Sequence, residues 1–201
     1  MASKVITVFS NKGGVGKTFV AVNLAAALTL KGRRVLALDL DLQAGQNMAR
    51  MFNLTPAHSL VDILESKDIQ DKNIIVKKMT TLHASGLDFL PAVNHLHQAG
   101  KITPDNIRHF FKTATAMYDY IIIDADKMFT ETLISVLDNS NLILVVTTPD
   151  ILAVTQAKNS LDILQSLHFP LKMSKMILNR GIKNNTIPET TQNTKHNRKT
   201  G

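Results

Sequence analysis

The sequence has no cysteine among its 201 residues. This absence excludes disulfide bonds and thiolate metal sites, and it fits a reducing compartment. No apolar run approaches the roughly 20 residues that a membrane-spanning helix needs. No charged-then-apolar signal region precedes the first strand-like segment. We therefore interpret the chain as a soluble, cytoplasmic protein with no transmembrane segment.

Acidic residues are the scarcer charged type, with 16 of them against 23 lysines and arginines, and the formal net charge is +7. Part of the excess lies in residues 183–201, a polar stretch with a single aliphatic residue that we predict to be a disordered tail. A basic surface attracts nucleic acid or anionic lipid head groups. A solvated basic surface with no partner explains the same charge equally well.

Short apolar runs alternate with longer amphipathic segments before residue 183. This pattern is typical of a mostly parallel sheet with helices on both faces, in which buried strands are continuously apolar. We therefore predict one α/β domain over residues 1–182. The predicted strands are 5–9, 35–38, 87–90, 120–123, 142–146 and 176–178, and the predicted helices are 18–30, 59–65, 104–117 and 151–167.

A glycine-rich loop joins the first predicted strand to the first helix, in the sequence VITVFSNKGGVGKT over residues 5–18. Asn11 stands where the general phosphate-loop pattern has its first glycine, and Lys12 is an additional cation. The glycines allow backbone N–H groups to surround phosphate oxygens, and the helix start adds free amides and a positive dipole end. Lys17 suits the β- and γ-phosphates, and the Thr18 hydroxyl suits Mg²⁺. A turn without a ligand is the alternative, but it would crowd two lysines beside helix amides with no anion to bind.

Carboxylates follow two of the predicted strands. Asp39 and Asp41 end the second strand, and Asp124 ends the apolar run 120–123. Ligands bind at the carboxyl ends of parallel strands in open α/β sheets. We predict that one carboxylate of the first pair serves Mg²⁺ while the other activates water, and that Asp124 holds Mg²⁺ through water. Acidic strand ends that merely aid solubility are the alternative. The seven histidines form no ligand cluster in the sequence.

The segment KGGVGKT over residues 12–18 resembles the deviant Walker motif of the ParA/MinD ATPases. The resemblance implies a P-loop NTPase fold, ATP and Mg²⁺ as cofactors, and an ATP-dependent homodimer in which Lys12 reaches the partner's nucleotide. It also implies slow, Mg²⁺-dependent ATP hydrolysis. The catalytic residues would be Lys12, Lys17 and Asp41, and the metal site would involve Thr18, Asp39 and Asp124. The expected nucleotide-binding residues are Lys12, Gly13, Gly14, Val15, Gly16, Lys17, Thr18, Phe19, Asn179 and Arg180.

Three positions qualify this resemblance. Asp126 stands where the family commonly has proline, so the resemblance does not establish the role of the second switch loop. Phe19 replaces a common threonine or serine, so that only its backbone N–H would serve the α-phosphate. Asn179 occupies the place of the family's adenine-recognising asparagine, although an asparagine that ends a strand in a turn is the alternative.

Several segments are most similar to the CpaE/TadZ-like branch of this family, which is associated with Flp-type pilus assembly. This branch implies a nucleotide-controlled positioning switch, with a protein partner in a pilus or polar-localisation machinery. The partner would recruit the chain to the cytoplasmic face of the membrane or to the cell pole. The segments are DLDLQ (39–43), SLVDILES (59–66), GLDFLPA (86–92) and VVTTPDILAVTQAKNSLDILQSL (145–167).

Three alternatives remain at this stage. A ParA-type partition ATPase would bind duplex DNA non-specifically through basic side chains. A MinD-type membrane-cycling ATPase would need a terminal amphipathic helix, which the tail does not provide. A third alternative is a scaffold that binds nucleotide without hydrolysing it. The presence of Asp41 argues against this alternative, whereas Asp126 in place of proline keeps it open. Relatives continue past the Asn179–Arg180 strand end, so we expect the domain to lack C-terminal elements.

Overall fold

A computed structural model describes residues 2–42, 46–66 and 72–181. The predicted tail over residues 183–201 and Gln43 of the DLDLQ segment lie outside the described residues.

The centre of the fold is a seven-stranded sheet with the strand order β3-β4-β2-β5-β1-β6-β7. All neighbouring strands are parallel except β3, which runs antiparallel to β4 at one edge. The six predicted strands are confirmed with small shifts at their ends. The strands are β1 (Lys4–Phe9), β2 (Val35–Leu40), β3 (Thr81–Leu82), β4 (Asp88–Pro91), β5 (Tyr120–Ala125), β6 (Leu142–Thr147) and β7 (Ser174–Leu178).

Seven α-helices connect the strands in the described ranges, and they include all four predicted helices. The helices α2, α4 and α6 and the strand β3 were not predicted, because each has eight residues or fewer. The helices are α1 (Lys17–Leu30), α2 (Asn47–Met51), α3 (Leu60–Glu65), α4 (Lys72–Met79), α5 (Pro104–Met117), α6 (Glu131–Asp138) and α7 (Ile151–Ser166). None of the helices in these ranges combines the length and apolarity needed to cross a membrane.

Local chemistry sets several helix starts. Thr103 caps α5 by accepting a hydrogen bond from the Asn106 backbone N–H, and Pro104 occupies the first helical position. Pro at this position costs no backbone hydrogen bond, since the first amides of a helix have no partner within it. Ser59 precedes α3, and its backbone N–H donates to the Asp62 carboxylate. These caps confirm the predicted beginnings of both helices.

The hydrophobic core lies on both faces of the sheet. Successive side chains of β5 alternate between the faces, as a strand requires. Ile121 and Ile123 pack in the cluster that contains α5, whereas Ile122 packs in the cluster that contains α1. Both faces of the central strands are therefore buried, which explains their continuously apolar sequences.

Strand β7 forms the other edge of the sheet and pairs only with β6 in the described part of the chain. Met176 and Leu178 are 41% and 47% exposed on it, and Lys175 is also exposed. This edge thus differs from the buried central strands in presenting both apolar side chains and unpaired backbone groups to solvent.

We predict that Leu38→Ala in the centre of β2 lowers the free energy of unfolding by about 2–5 kcal/mol, because it leaves a cavity in a fully buried core. Leu30→Ala, at a position that is 82% exposed, is the matched control and should change it by less than about 0.5 kcal/mol. Urea unfolding followed by circular dichroism measures both. Equal effects of the two substitutions would contradict the described core.

Candidate nucleotide-binding site

The glycine-rich loop lies between the end of β1 and the start of α1, at the carboxyl edge of the sheet. Gly14 and Gly16 have φ angles of 76° and 96°, in the left-handed region that favours glycine. Gly16 directly precedes Lys17, the first residue of α1. The loop therefore turns the chain so that the free amides of the helix start face the region beyond the strand ends.

The side chains that begin α1 bind the carboxylates that end β2 and β5. Lys17 Nζ lies 3.1 Å from Asp41 Oδ2, and both side chains are nearly buried. The Thr18 hydroxyl donates a hydrogen bond of 2.5 Å to Asp124 Oδ2. The structure thus brings together four of the predicted site residues, and the Thr18–Asp124 contact joins side chains 106 positions apart in the sequence.

Asp39 and Asp124 are neighbours in the β2–β5 register, and both are buried. Burial, followed by the nearby charge of Asp124, raises the pKa of Asp39 to about 7. Burial also raises the pKa of Asp124 to about 6, against the lowering effects of Lys17 and the Thr18 hydrogen bond. Two adjacent buried carboxylates resist simultaneous ionisation, and a cation between them and the loop would relieve this repulsion.

The donor set fits Mg²⁺ bound mainly through water and phosphate. Asp124 Oδ1 is buried and accepts no hydrogen bond, and carboxylate and hydroxyl oxygens are ligands that Mg²⁺ prefers. In the described ranges, no three histidine, cysteine, aspartate or glutamate side chains converge closely enough to hold an ion on their own. Thr18 and Asp124 would therefore act with water molecules and phosphate oxygens. Both carboxylate oxygens of Asp39 accept hydrogen bonds from backbone N–H groups, those of Asp41 and Met48.

Lys12 is not part of this buried cluster. Its Nζ lies 2.6 Å from Asp150 Oδ1, and both side chains are partly exposed. Asp150 also accepts hydrogen bonds from the Thr148 hydroxyl and the Ala153 backbone N–H, and it caps α7. These three donors, with the Lys12 hydrogen bond as the largest, hold the pKa of Asp150 well below its usual range.

Asp150 and Thr148 were missed in the sequence analysis. The available signal was the sequence TTPD, which begins at the last residue of β6, where polar residues at the carboxyl end of a parallel strand precede a helix. The contact with Lys12 could not be predicted, because 138 residues separate the two side chains.

The remaining predicted site residues surround the loop. Asn179 follows β7, and its Nδ2 donates a hydrogen bond of 2.8 Å to the backbone oxygen of Val15. Arg180 is exposed and has a φ angle of 57°. Phe19 is 55% exposed on the first turn of α1. Asp126 accepts a hydrogen bond from the Lys127 backbone N–H.

The raised pKa of Asp39 predicts a pH-dependent stability. A carboxyl whose pKa is higher in the folded protein binds more protons there than in the unfolded chain, so stability falls as pH rises from about 4 to about 7. Asp39→Asn removes this charge and also one of the two oxygens that accept backbone N–H groups. Relative to the unaltered chain, its urea midpoint should therefore be higher at pH 8 than at pH 5, when Mg²⁺ and nucleotide are removed with EDTA and dialysis. Asp162→Asn, on the exposed side of α7, is the control with the same change of charge. An equal effect of Asp39→Asn on the urea midpoint at the two pH values would refute the raised pKa of Asp39.

Comparison with known proteins gives the same fold. The model of a family described as AAA domain matches residues 3–177. The septum site-determining protein MinD of Thermotoga maritima is 29% identical over 88% of this chain and 64% of its own length. The chain thus spans less than two thirds of the length of this curated relative.

Solved structures agree with the sequence match. A ParA family ATPase from Chlorobium tepidum has a TM-score of 0.81 and 28% identity, over 91% of this chain and 76% of its own. The septum site-determining protein MinD from Pyrococcus horikoshii, complexed with Mg-ADP, has a TM-score of 0.75 and 25% identity, over 93% and 74% of the two chains. With the loop, the carboxylates and the strand order described above, these matches show that the chain belongs to the ParA/MinD family of P-loop ATPases.

Proposed function

We propose that the chain is an ATP-dependent dimerising ATPase that acts as a nucleotide-controlled positioning switch. The observation that carries this proposal is the separation of the two lysines of the loop. Lys17 is buried beside Asp41, whereas Lys12 lies outside the cluster on Asp150. Lys12 is therefore free to exchange an intrachain carboxylate for a phosphate of a nucleotide held by a second copy.

The backbone amides and side chains of one subunit would suffice to bind and position ATP. The backbone amides of Gly13, Gly14, Val15, Gly16 and Phe19 would surround the phosphates, and Lys17 would add a charge to the β- and γ-phosphates. Mg²⁺ would neutralise phosphate charge and polarise the transferred phosphoryl group. Thr18 and Asp124 would hold the ion, with Asp39 beside Asp124 in the strand register. Asn179 and Arg180 would contact the adenine.

Asp41 is the residue we assign to orienting the attacking water. It pairs with Lys17 at 3.1 Å in the structure. When Lys17 turns to the phosphates, the Asp41 carboxylate loses this partner and becomes available to accept a proton from water. Hydrolysis would thus begin only after nucleotide has been bound, and Lys12 of the second copy would complete the charge around the γ-phosphate.

A switch of this kind would convert the bound nucleotide into a choice between monomer and dimer. The similarity to a septum site-determining MinD and a ParA family ATPase supports a positioning or partition role. Within that role, we propose a protein partner of a pilus or polar-localisation machinery, because the segments SLVDILES and GLDFLPA resemble the CpaE/TadZ-like branch. Slow hydrolysis would time the release of the partner.

Size-exclusion chromatography with light scattering, in ADP·Mg²⁺ and ATP·Mg²⁺, tests the switch. We expect ATP to produce a dimer, Asp41→Ala to prolong it by slowing phosphate release, and Lys12→Ala to weaken it. Lys158→Ala, which removes an exposed cation from the outer side of α7, is the matched control and should behave like the unaltered chain.

Two outcomes would count against the switch. If ATP binds but no variant dimerises, the positioning mechanism fails for this chain. If dimers form but no phosphate is released, the chain is a nucleotide-binding scaffold and Asp41 has no hydrolytic role.

A second candidate function is non-specific DNA binding, which a basic edge of the molecule favours. Lys31 and Arg33 follow α1 at the amino ends of the strands, opposite the candidate site, and both are exposed. Two acidic groups at this edge are already engaged, since Asp119 pairs with Arg34 and the buried Asp88 pairs with Lys77. The exposed cations would therefore face a polyanion without competition from these carboxylates.

Fluorescence anisotropy with a labelled 30-base-pair duplex in the presence of ATP tests this second function. We expect the affinity to fall by more than about tenfold between 50 and 200 mM salt if phosphates are bound. The double variant Lys31→Glu/Arg33→Glu should abolish binding, while Lys112→Glu/Lys158→Glu changes the net charge equally on other surfaces. Equal losses in the two double variants would exclude the basic edge as the binding surface.

A further inference from the structure

Asn179 makes three contacts that fix both its backbone and its side chain. Its backbone N–H donates to the Thr147 carbonyl oxygen at 2.8 Å and so continues the pairing of β7 with β6. Its side-chain Oδ1 accepts a hydrogen bond of 2.9 Å from the Arg180 backbone N–H. Its Nδ2 donates to the Val15 carbonyl oxygen at 2.8 Å. The carboxamide therefore spans from the sheet edge to the phosphate loop with both ends engaged.

The contact with the loop is closely packed. A Cβ atom placed on Gly16 would lie 2.3 Å from Asn179 Nδ2, far inside van der Waals distance. Gly16 has a φ angle of 96°, and its carbonyl oxygen accepts the first hydrogen bond of α1, from the Val20 N–H. The absence of a side chain at Gly16 is thus what allows Asn179 to reach the joint between loop and helix.

The hydrogen bond from Asn179 to the Val15 oxygen also fixes the orientation of the Val15–Gly16 peptide in the loop. In a planar trans peptide, the C=O of one residue and the N–H of the next point in opposite directions. Because Asn179 holds the Val15 oxygen on its own side, the Gly16 N–H points away from β7. Val15 is 2% exposed, so its peptide is confined by packing as well as by this hydrogen bond.

We propose that Asn179 is a positioning residue for phosphate binding, in addition to the adenine contact assigned to it above. Its carboxamide sets the Val15–Gly16 peptide, and with it an amide of the phosphate loop, before any ligand binds. The inference rests on the proposed nucleotide binding, but it differs from base recognition in its consequence. A residue that only recognises adenine affects ATP alone, whereas a residue that orients the loop also affects a ligand that has no base.

Tripolyphosphate with Mg²⁺ is the probe that separates the two roles. We expect Asn179→Ala to weaken the binding of both ATP and tripolyphosphate, measured by isothermal titration calorimetry. Each affinity should fall by about fivefold, the equivalent of one hydrogen bond of about 1 kcal/mol. Leu178→Ala is the matched control, because it shortens an exposed side chain at the same strand end and leaves the Asn179 contacts in place. It should leave both affinities unchanged.

Two further measurements exclude a general loss of structure. The thermal midpoint of Asn179→Ala without ligand should stay within a few degrees of that of the unaltered chain, because the backbone pairing with Thr147 remains. In ¹H–¹⁵N spectra, the Gly16 amide should shift in Asn179→Ala and keep its position in Leu178→Ala.

The outcomes are distinct. Weaker ATP binding with unchanged tripolyphosphate binding would overturn the positioning role and leave the proposed nucleotide binding intact. An unaltered chain that binds ATP but not tripolyphosphate would also overturn it, since a loop that is set in advance must hold a phosphate chain alone. If the unaltered chain binds neither ligand, the proposed function fails and the positioning role fails with it.

Discussion

The structure depends on the burial of two adjacent carboxylates at the carboxyl ends of parallel strands. The Thr18 hydroxyl and the charge of Lys17 stabilise Asp124 there, and the Asp41 and Met48 backbone N–H groups stabilise Asp39. Helix α1 can begin there because the glycine loop reverses the chain. Each side of the site is unfavourable alone, since it would be a pair of repelling anions or a buried cation. Their mutual neutralisation couples the position of α1 to β2 and β5.

The same arrangement leaves one charge of the loop outside. Lys12 cannot join the buried cluster without adding a second cation beside Lys17, and Asp150 holds it at the surface instead. The two lysines of the loop are thus divided between a buried inner site, which contains Lys17, and the surface, where Lys12 lies. In the proposed switch, such a division would make association between copies sensitive to what the inner site contains, which is the property that a positioning switch requires.

Most of the fold could be predicted from sequence because central strands of a parallel sheet are buried on both faces. Ile121, Ile122 and Ile123 form a continuous apolar run for this reason, and β5 was predicted almost to its ends. The apolar residues Leu133, Val136 and Leu137 of α6 recur at helical spacing, but a run of eight residues is as short as a strand and was not recognised as a helix. The loop, Asp39, Asp41 and Asp124 could be found because their chemistry is local to a strand end. The contacts of Lys12 with Asp150 and of Asn179 with Val15 join residues more than 130 positions apart, and no local pattern encodes them.

Strand β7 has a practical consequence for the chain in solution. In the part of the chain that the structure describes, its outer backbone groups and the exposed side chains of Met176 and Leu178 form a template to which another extended segment can add by hydrogen bonding. Lys172 and Lys175 are exposed at the beginning of this edge, and their charges oppose the addition of an identical strand in parallel register. Raising the salt concentration screens that repulsion and leaves the apolar contacts intact. Self-association through the sheet edge would therefore grow with ionic strength and need no nucleotide, the opposite dependence from an assembly held together by Lys12.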